Sequence, residues 1–457
     1  MKEKRIFQCT KCGYKTAKWM GRCPQCQSWD SFEETLETKD GGRSLPKDKP
    51  LKYQKLKEVA ISDRSRFVTG LSEFNRVTGG GIVRDSVTII TSPPGGGKST
   101  LALIISAEAA SQGIPVLYAT GEESAGQIKS RADRIIGDIP ESLWIISDTS
   151  LDNVIDAVNK IDPEIIIIDS IQTFSLSEFY PARAGNPVQT MECASRLQAI
   201  AKNAENPKAV IIIGQMNKSD ELAGLRALEH LVDTVLYIEG GSDNELRSIF
   251  AAKNRFGSTG EMGFFNMTER GLESIDNPSE YFITKREKGE EVSGSAITVI
   301  REGLRPIIVE IESLVSEAFM PYPSRIGDSL RRDQLNTLVS IMEQRGGIRL
   351  SDKNIVIKAM GGIRLREPSV NLAVIMSIIS SVYDIPIGSD TAFIADVGLT
   401  GELKKVPSAE ARIKELARMG FKRVYIAEDA LKGGIPEINI LRFRTLGQVI
   451  EDVFGRN

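Results

Sequence analysis

The sequence is poor in several residues and patterns that mark particular classes of protein. It has one histidine among 457 residues, so a centre built on several imidazoles is excluded and we expect His230 to be structural. It has no N-terminal apolar run of about 7–15 residues and no stretch of about 18 apolar residues, so neither a secretory signal nor a membrane-spanning helix is predicted. A cytoplasmic location is therefore expected. The net charge is −3, so any contact with a polyanion must come from local basic patches.

Cysteine is rare after residue 26, because four of the five cysteines lie at or before it. Cys9 and Cys12 form one CxxC pair, and Cys23 and Cys26 form a second pair after ten intervening residues. Each CxxC turn presents two thiolates on one side, and two turns together complete the tetrahedral shell that Zn²⁺ prefers. We predict one structural Zn²⁺ in residues 1–35; the alternative is four unrelated buried or redox cysteines.

Three further segments differ in composition. Residues 36–60 are polar and rich in Lys, Gly and Pro, which indicates a linker. Residues 61–270 and 278–457 each alternate apolar β-branched runs with amphipathic stretches, which predicts an α/β fold with a doubly wound, mostly parallel sheet in 61–270 and a second α/β domain in 278–457. The predicted elements are strands at 86–91, 115–120, 164–169, 209–214 and 422–427, a hairpin over 295–315, and helices at 99–112, 124–136, 188–204, 329–345, 368–381 and 407–420.

A glycine-rich loop follows the first of these strands. Gly95, Gly96 and Gly97 let backbone N–H groups wrap phosphates at the positive end of a helix. Lys98 would neutralise the β and γ phosphates, and Ser99, followed by Thr100, would ligate Mg²⁺. This is a P-loop with one departure, since Ser92 stands where the usual pattern has its first Gly. The loop predicts ATP and Mg²⁺ as cofactors; the alternative is a glycine-rich turn with a chance Lys-Ser pair.

Polar residues follow three neighbouring strands, where the carboxyl ends of parallel strands meet. Asp169 ends one strand and is predicted to contact Mg²⁺, with a plain strand-end cap as the alternative. Glu122 and Glu123 follow a second strand, and we favour Glu122 as the group that orients and deprotonates the attacking water. Gln215 follows a third strand and could sense the γ-phosphate. The alternatives are solvated glutamates at a helix start and a surface amide.

Longer segments resemble the RadA family of RecA-like ATPases. The residues that carry the resemblance are CTKCGYKTAKWMGRCPQCQSWDSFEE, TGLSEFNRVTGGGIV (69–83), YATGEESAGQIKSRADRI (118–135), LEHLVDTVLYIEG (228–240) and the KNRFG motif at 253–257. The resemblance covers nearly the whole chain. It departs from the family pattern at Ser92 and at Gln215, where the family commonly has His.

The resemblance implies a homohexameric ring that hydrolyses ATP and translocates on single-stranded DNA. In the family this drives branch migration of branched recombination intermediates, alongside RecA recombinase. It also implies that Lys253 and Arg255 act in trans, inserted from a neighbouring subunit to stabilise the transferring phosphoryl group. Without the resemblance, both would be interpreted as surface charges.

Two loops are candidates for contact with DNA at the centre of such a ring. The first offers Phe179, Tyr180 and Arg183, and the second offers Lys218 and Arg226. Basic groups would grip phosphates and an aromatic ring could stack on a base. Ordinary exposed loops are the alternative.

Residues 278–457 resemble the proteolytic domain of Lon, which uses a Ser–Lys pair. Ser369 lies in the segment that resembles the serine motif, and alignment on Gly401 and Gly420 places Glu410 at the lysine position. A carboxylate cannot serve as the neutral amine of such a pair, so peptidase activity is not expected. Three functions remain for comparison: a DNA helicase or translocase, an ATP-gated DNA-binding scaffold that remodels recombinase filaments without unwinding, and an ATP-dependent protease.

Overall fold

The computed structural model describes residues 4–10, 14–16, 18–29, 32–37, 55, 57, 66–215, 228–240, 245–286, 290–319 and 322–455. The chain forms two compact units, Met1–Asp63 and Arg64–Asn457. In the described part of the first, strands Lys15–Thr16, Lys4–Cys9 and Phe32–Glu37 form an antiparallel sheet in that order. The linker predicted over 36–60 lies almost entirely outside the described residues. No helix in the described ranges is long and apolar enough to cross a bilayer.

The larger sheet of the second unit has nine strands among the described residues. Six neighbouring strands are parallel, and the other three extend one side as an antiparallel meander. In spatial order the strands are Gly271–Ser274, Met262–Thr268, Leu246–Asn254, Thr234–Glu239, Val87–Ser92, Ala209–Gln215, Ile165–Asp169, Val116–Thr120 and Leu143–Ser147.

Helices cover both faces of this sheet, which explains its continuous apolar strands. Ile165 and Ile167 pack into a core shared with the helix Lys98–Ser111, whereas Ile166 and Ile168 pack on the opposite side. Side chains of a strand point alternately to the two faces, so a strand covered twice must be apolar at every position. The other helices of this region are Ser72–Thr78, Ala125–Ile135, Leu151–Ile161 and Pro187–Ala201, with 3₁₀ turns at Ile171–Thr173 and Ser177–Phe179.

The C-terminal region is built on a mixed sheet of seven strands among the described residues. In order these are Arg325–Gly327, Lys353–Ala359, Arg305–Glu317, Ser295–Glu302, Thr391–Ile394, Arg423–Ala427 and Asn439–Phe443. The helices Arg332–Arg345, Asn371–Tyr383 and Leu446–Phe454 pack on one face, and Ala409–Arg418 packs on the other.

Small elements complete the unit. They are the helix Pro278–Tyr281, the 3₁₀ turns Met360–Gly362 and Pro368–Val370, and two short antiparallel pairs, Arg66–Phe67 with Ile82–Val83 and Asp396–Val397 with Leu403–Lys404.

The doubly wound α/β prediction is confirmed, and each predicted strand and helix lies within a few residues of an observed one. The predicted hairpin is also confirmed, with Gly303 at its turn in the left-handed region at φ 63°. The strand Leu143–Ser147, the helix Leu151–Ile161 and the antiparallel meander were not predicted.

Candidate functional site

The glycine-rich loop joins the buried strand Val87–Ser92 to the helix that begins at Lys98. Gly95 and Gly97 adopt positive φ values of 75° and 94°, which L side chains rarely tolerate. A Cβ on Gly96 would lie 2.3 Å from the Ser92 Oγ, so this position has no room for a side chain. The loop therefore leaves its backbone N–H groups at the surface of the helix N-terminus, where an anion is favoured.

Lys98 is held within the loop that precedes it. Its Nζ donates hydrogen bonds to the Ser92 carbonyl at 3.1 Å, the Ser92 Oγ at 2.9 Å and the Pro93 carbonyl at 3.3 Å. Burial lowers the pKa of Lys98, and the nearby carboxylates of Asp169 and Glu122 oppose that change. Ser92 is thus a direct partner of Lys98, which the sequence pattern did not indicate.

Asp169 ends its strand with a buried carboxylate, 4 % exposed, at the carboxyl edge of the sheet. The Tyr118 hydroxyl donates to its Oδ2 at 2.6 Å. Burial raises the pKa of Asp169, and the hydroxyl groups of Tyr118 and Ser99 oppose this rise. Burial and the Asp169 carboxylate together raise the pKa of Tyr118 well above its usual value, so Tyr118 remains a donor. Asp169 and Ser99 supply the hard oxygen ligands that Mg²⁺ prefers.

Glu122 and Glu123 have different partners. The Gln215 Nε2 donates to Glu122 Oε1 at 2.7 Å, and the Ser170 hydroxyl donates to the same oxygen. Glu123 accepts two hydrogen bonds from Arg131, at 2.7 and 2.9 Å. Glu122 lines the cavity above the glycine-rich loop, whereas Glu123 is paired with Arg131. The geometry therefore places Glu122, rather than Glu123, at the wall of this cavity.

These residues surround one cavity of about 530 Å³. The predicted residues at its wall are Gly95, Gly96, Gly97, Lys98, Ser99, Thr100, Glu122, Asp169 and Gln215. Six further residues at the wall were missed: Pro94, Arg131, Arg134, Ile213, Arg247 and Met267. Arg131 and Arg134 share one face of a helix through their i, i+3 spacing, which is a readable signal. Arg247 and Met267 come from the antiparallel meander and carry no local signal.

Lys253 and Arg255 do not line this cavity. The strand Leu246–Asn254 runs antiparallel to its neighbour, so Asn254 lies opposite Thr234, which in turn pairs with Thr88. Asn254 is therefore level with Thr88, which lies four residues, or about 13 Å, before Ser92 at the start of the glycine-rich loop. Lys253 Nζ donates to the carbonyls of Glu229 and Val232, and burial followed by the charge of Arg255 lowers its pKa.

Arg255 lies at the same edge as Lys253 and is more exposed. Its Nη1 lies 3.1 Å from the buried Asp233 Oδ1, and its side chain is 55 % exposed. The Arg255 guanidinium is thus accessible at the amino ends of the parallel strands, where the buried Asp233 holds it.

The DNA-contact candidates fall into three groups. Tyr180 is 84 % exposed and Arg183 is also exposed. Phe179 instead packs against the core on one face of the sheet, so its ring is partly covered. Lys218 and Arg226 lie outside the described residues.

In the first unit, the sulfur atoms of Cys9, Cys23 and Cys26 all lie within 4.8 Å of one another. The backbone N–H of Cys9 donates to Tyr14 and that of Cys23 donates to Ser28, each at 2.9 Å, which closes a turn after each cysteine. Clustered thiolates are the donor set that suits Zn²⁺. Cys12 lies outside the described residues.

In the C-terminal region, Ser369 contacts Arg412 rather than Glu410. The Arg412 Nη1 donates to the Ser369 Oγ at 3.2 Å, Ser369 donates to Glu367 at 2.9 Å, and Arg412 also pairs with Glu367. Glu410 is exposed and pairs with Lys414. A guanidinium does not lose its proton in proteins, so it cannot act as a base toward Ser369. The absence of peptidase activity stays a prediction.

The doubly wound sheet, the P-loop and the carboxylates at the strand ends define a RecA-like P-loop nucleotide-binding protein. Residues 7–34 match a family described as a rubredoxin metal binding domain, and residues 52–221 match a family described as an AAA domain.

Relatives extend this similarity to the whole chain. It is 40 % identical over 437 residues to the DNA repair protein RadA of Bacillus subtilis (strain 168), covering 94 % of each chain. It is 40 % identical over 461 residues to the RadA of Streptococcus pyogenes serotype M6, covering 99 % of this chain and 100 % of the relative. The RadA of Listeria monocytogenes is 39 % identical over 452 residues, with 97 % of each chain covered. The chain belongs to the RadA family of DNA repair proteins.

Proposed function

We propose that this chain is a cytoplasmic ATP hydrolase that forms a homohexameric ring and moves on single-stranded DNA. In this role it processes branched recombination intermediates alongside RecA recombinase. The proposal makes it a DNA helicase or translocase in homologous recombination and repair. The observation that carries the proposal is the placement of the reactive groups on one sheet. The P-loop residues lie at the carboxyl ends of the parallel strands, and Lys253 and Arg255 lie at the amino ends.

One edge holds the groups that would receive a nucleotide. Lys98 would exchange the Ser92 and Pro93 oxygens for phosphate oxygens, since charge-assisted bonds to phosphate are stronger. Ser99 and Asp169 would hold Mg²⁺, which neutralises phosphate charge, and Tyr118 keeps the Asp169 carboxylate in place. Glu122 would orient a water for attack and accept its proton.

The other edge holds Lys253 and Arg255, at a level of the sheet about 13 Å from the end of the P-loop strand. The exposed Arg255 guanidinium is therefore available to a neighbouring subunit rather than to its own cavity. A cation supplied in trans is worth about 10³–10⁵ in rate in related phosphoryl transfers. Assembly would then complete each reaction centre.

Gln215 offers a route from this centre to DNA. It donates to Glu122 and immediately precedes the segment that contains Lys218 and Arg226. Loss of the γ-phosphate would change the surroundings of Glu122 and, through Gln215, those of the following loop. Tyr180 and Arg183 are exposed on the other candidate loop, where six copies would concentrate positive charge despite the net charge of −3. The N-terminal cysteines would hold a structural Zn²⁺ that stabilises a segment too small for its own core.

The first experiment measures phosphate release with single-stranded DNA for the wild type, Lys98→Ala and Arg255→Ala. Each variant alone should lose at least about 10³-fold in turnover, because one lacks the phosphate ligand and the other the trans cation. Mixed together, the two should regain part of the activity, since a Lys98→Ala subunit still supplies Arg255 to an intact P-loop. Lys405→Ala, which removes an exposed ion pair with Asp429 in the C-terminal region, is the matched control. A mixture that stays inactive would contradict the trans arrangement.

A second experiment separates the motor from the scaffold. A fork with one labelled strand is incubated with ATP or with a non-hydrolysable analogue. Strand separation with ATP but not with the analogue supports the motor, and equal separation with the analogue would rule the motor out. DNA binding without strand separation in either condition supports the ATP-gated scaffold. Mass in solution with ATP and single-stranded DNA tests the ring.

A further inference from the structure

The loop that carries Arg255 is held at its start by Arg66, a residue remote in sequence. The Arg66 Nη2 donates to the Phe256 carbonyl at 2.8 Å. Its Nη1 donates to the carbonyls of Gly81 at 3.1 Å and Thr78 at 3.3 Å. One guanidinium therefore ties the loop to the turn that follows the helix Ser72–Thr78.

The same turn packs tightly against the loop. A Cβ on Gly257 would lie 3.0 Å from the Gly79 Cα, so the two backbones meet without room for a side chain. The Asn254 side chain accepts from the Phe256 N–H at 2.9 Å and donates to the Val77 carbonyl at 3.3 Å. The backbone on either side of Arg255 is thus fixed by the helix and its turn.

The end of the loop is held by the C-terminal region. The Leu304 N–H donates to the Gly260 carbonyl at 2.9 Å, from the hairpin turn of the C-terminal sheet. Gly303 in that turn has φ 63°, and a Cβ there would lie 1.5 Å from the Gly260 oxygen. Arg305, two residues after Gly303, forms a 2.6 Å ion pair with Glu73, with the two side chains 14 % and 2 % exposed.

Glu73 connects this ion pair back to the helix that Arg66 holds. It lies in the first turn of Ser72–Thr78, and its Oε2 also accepts from the Phe264 N–H at 3.0 Å. Arg66, the helix and the hairpin turn therefore form one bonded frame around the loop from Arg255 to Gly260.

We propose that the C-terminal region, through the turn at Gly303–Arg305, together with Arg66, positions Arg255 for hydrolysis in the neighbouring subunit. This inference rests on the proposed trans role of Arg255. A displacement of about 1 Å at a reacting group can cost roughly 10²-fold in rate, so a rigid frame around the loop controls turnover without touching the nucleotide. Arg66 and the turn are positioning elements, and the protease-like region becomes part of the ATPase machinery.

The primary test is Arg66→Met, which removes three hydrogen bonds from the frame. We expect kcat for ATP to fall about 10–100-fold while KM changes by less than about threefold, because the P-loop edge is untouched. Gly303→Ala should act in the same direction by pushing the Gly260 carbonyl, and thermal melting checks that each variant is folded. Arg423→Met removes an exposed ion pair with Asp390 elsewhere in the C-terminal region, and should leave both constants unchanged.

Mixing with Lys98→Ala distinguishes positioning from general damage. Arg66→Met subunits keep an intact P-loop, so a Lys98→Ala neighbour with a correctly held Arg255 should restore activity to them. A wild-type kcat in Arg66→Met would overturn the inference. So would a mixture of Arg66→Met with Lys98→Ala that regains no activity under conditions in which the mixture of Arg255→Ala with Lys98→Ala does. If the Arg255→Ala mixture itself stays inactive, the proposed trans chemistry fails and this inference fails with it.

Discussion

The P-loop edge of the nine-stranded sheet and the Ser369 cluster of the C-terminal sheet each combine a serine, a basic residue and a carboxylate, but they use them differently. Lys98 faces an open cavity of about 530 Å³, and its partners are oxygens that a phosphate could replace. Arg412 is buried, and its bonds go to Ser369, Glu367 and backbone carbonyls of its own fold. Reactive chemistry requires partners that can be exchanged, whereas a saturated buried network stabilises structure.

The sharpest test within the P-loop edge compares adjacent glutamates. Glu122→Gln should lower ATP turnover about 10²–10⁴-fold, because it removes the group that would accept the water's proton. Glu123→Gln should lower turnover less than about fivefold, since Glu123 is paired with Arg131. Phosphate release at saturating ATP and single-stranded DNA measures both, and nucleotide affinity is the control. Equal losses would mean that the geometry does not separate the two roles.

Substitutions in the Ser369 cluster should lower the free energy of unfolding rather than change ATP turnover. Arg412→Met removes the ion pair with Glu367 and the donor to the Pro407 and Val299 carbonyls, and breaking a largely buried ion pair costs up to about 3–5 kcal/mol. Ser369→Ala should cost less than about 1.5 kcal/mol, because Arg412 and Glu367 still contact each other. Urea unfolding followed by circular dichroism measures both. Similar losses from the two variants would show that Ser369, not Arg412, is central.

The C-terminal hairpin should also give the chain a pH-dependent stability. Burial, then the charge of Glu367, raises the pKa of Glu302 to about 7, with Glu239 adding to the rise and Arg366 opposing it. Between the usual pKa of 4.5 and this raised value, the folded chain holds a proton on Glu302 that the unfolded chain releases. The contribution of this group to the free energy of unfolding is therefore fully present below pH 4.5 and is lost as pH rises through about 7.

Glu302→Gln should remove that dependence. At pH 8 the variant should be more stable than the wild type by on the order of 1–3 kcal/mol, and below pH 4.5 the two should agree. Thermal melting across this range checks the sign, and a wild type that is relatively more stable at high pH would contradict it.

The smallest expected effect concerns the departure from the P-loop pattern. Ser92→Gly removes the Oγ that binds Lys98 at 2.9 Å in the loop. One hydrogen bond contributes about 1 kcal/mol, so ATP should bind about fivefold more tightly when Lys98 loses this competing partner. Equilibrium titration with a fluorescent nucleotide measures this affinity. Ser106→Gly does not serve as a control, because Ser106 is a buried helix residue. Unchanged or weaker binding would mean that Ser92 does not compete for Lys98.

Local sequence patterns predicted the parallel core because its strands are covered on both faces and are apolar at every position. They predicted Lys98, Asp169 and Glu122 at one edge because strand ends in a parallel sheet converge. Arg247 and Met267 could not be predicted in this way, since they reach the cavity from strands whose pairing depends on distant residues. The contact of Arg412 with Ser369 was missed because the alignment placed Glu410 there, whereas the helix turns Glu410 toward Lys414 at the surface.

Asp233 joins Arg255 to the start of the strand that leads into the P-loop. Its Oδ2 accepts from the Val87 N–H at 3.0 Å and from Lys202 at 2.8 Å, while its Oδ1 contacts Arg255. Val87 begins the strand that leads into the P-loop, so under the proposed arrangement one buried strand has a different nucleotide at each end. That strand is hydrogen-bonded on both sides. In the proposed ring, a shift of Arg255 would reach the P-loop along it, and successive subunits would be coupled mechanically in series.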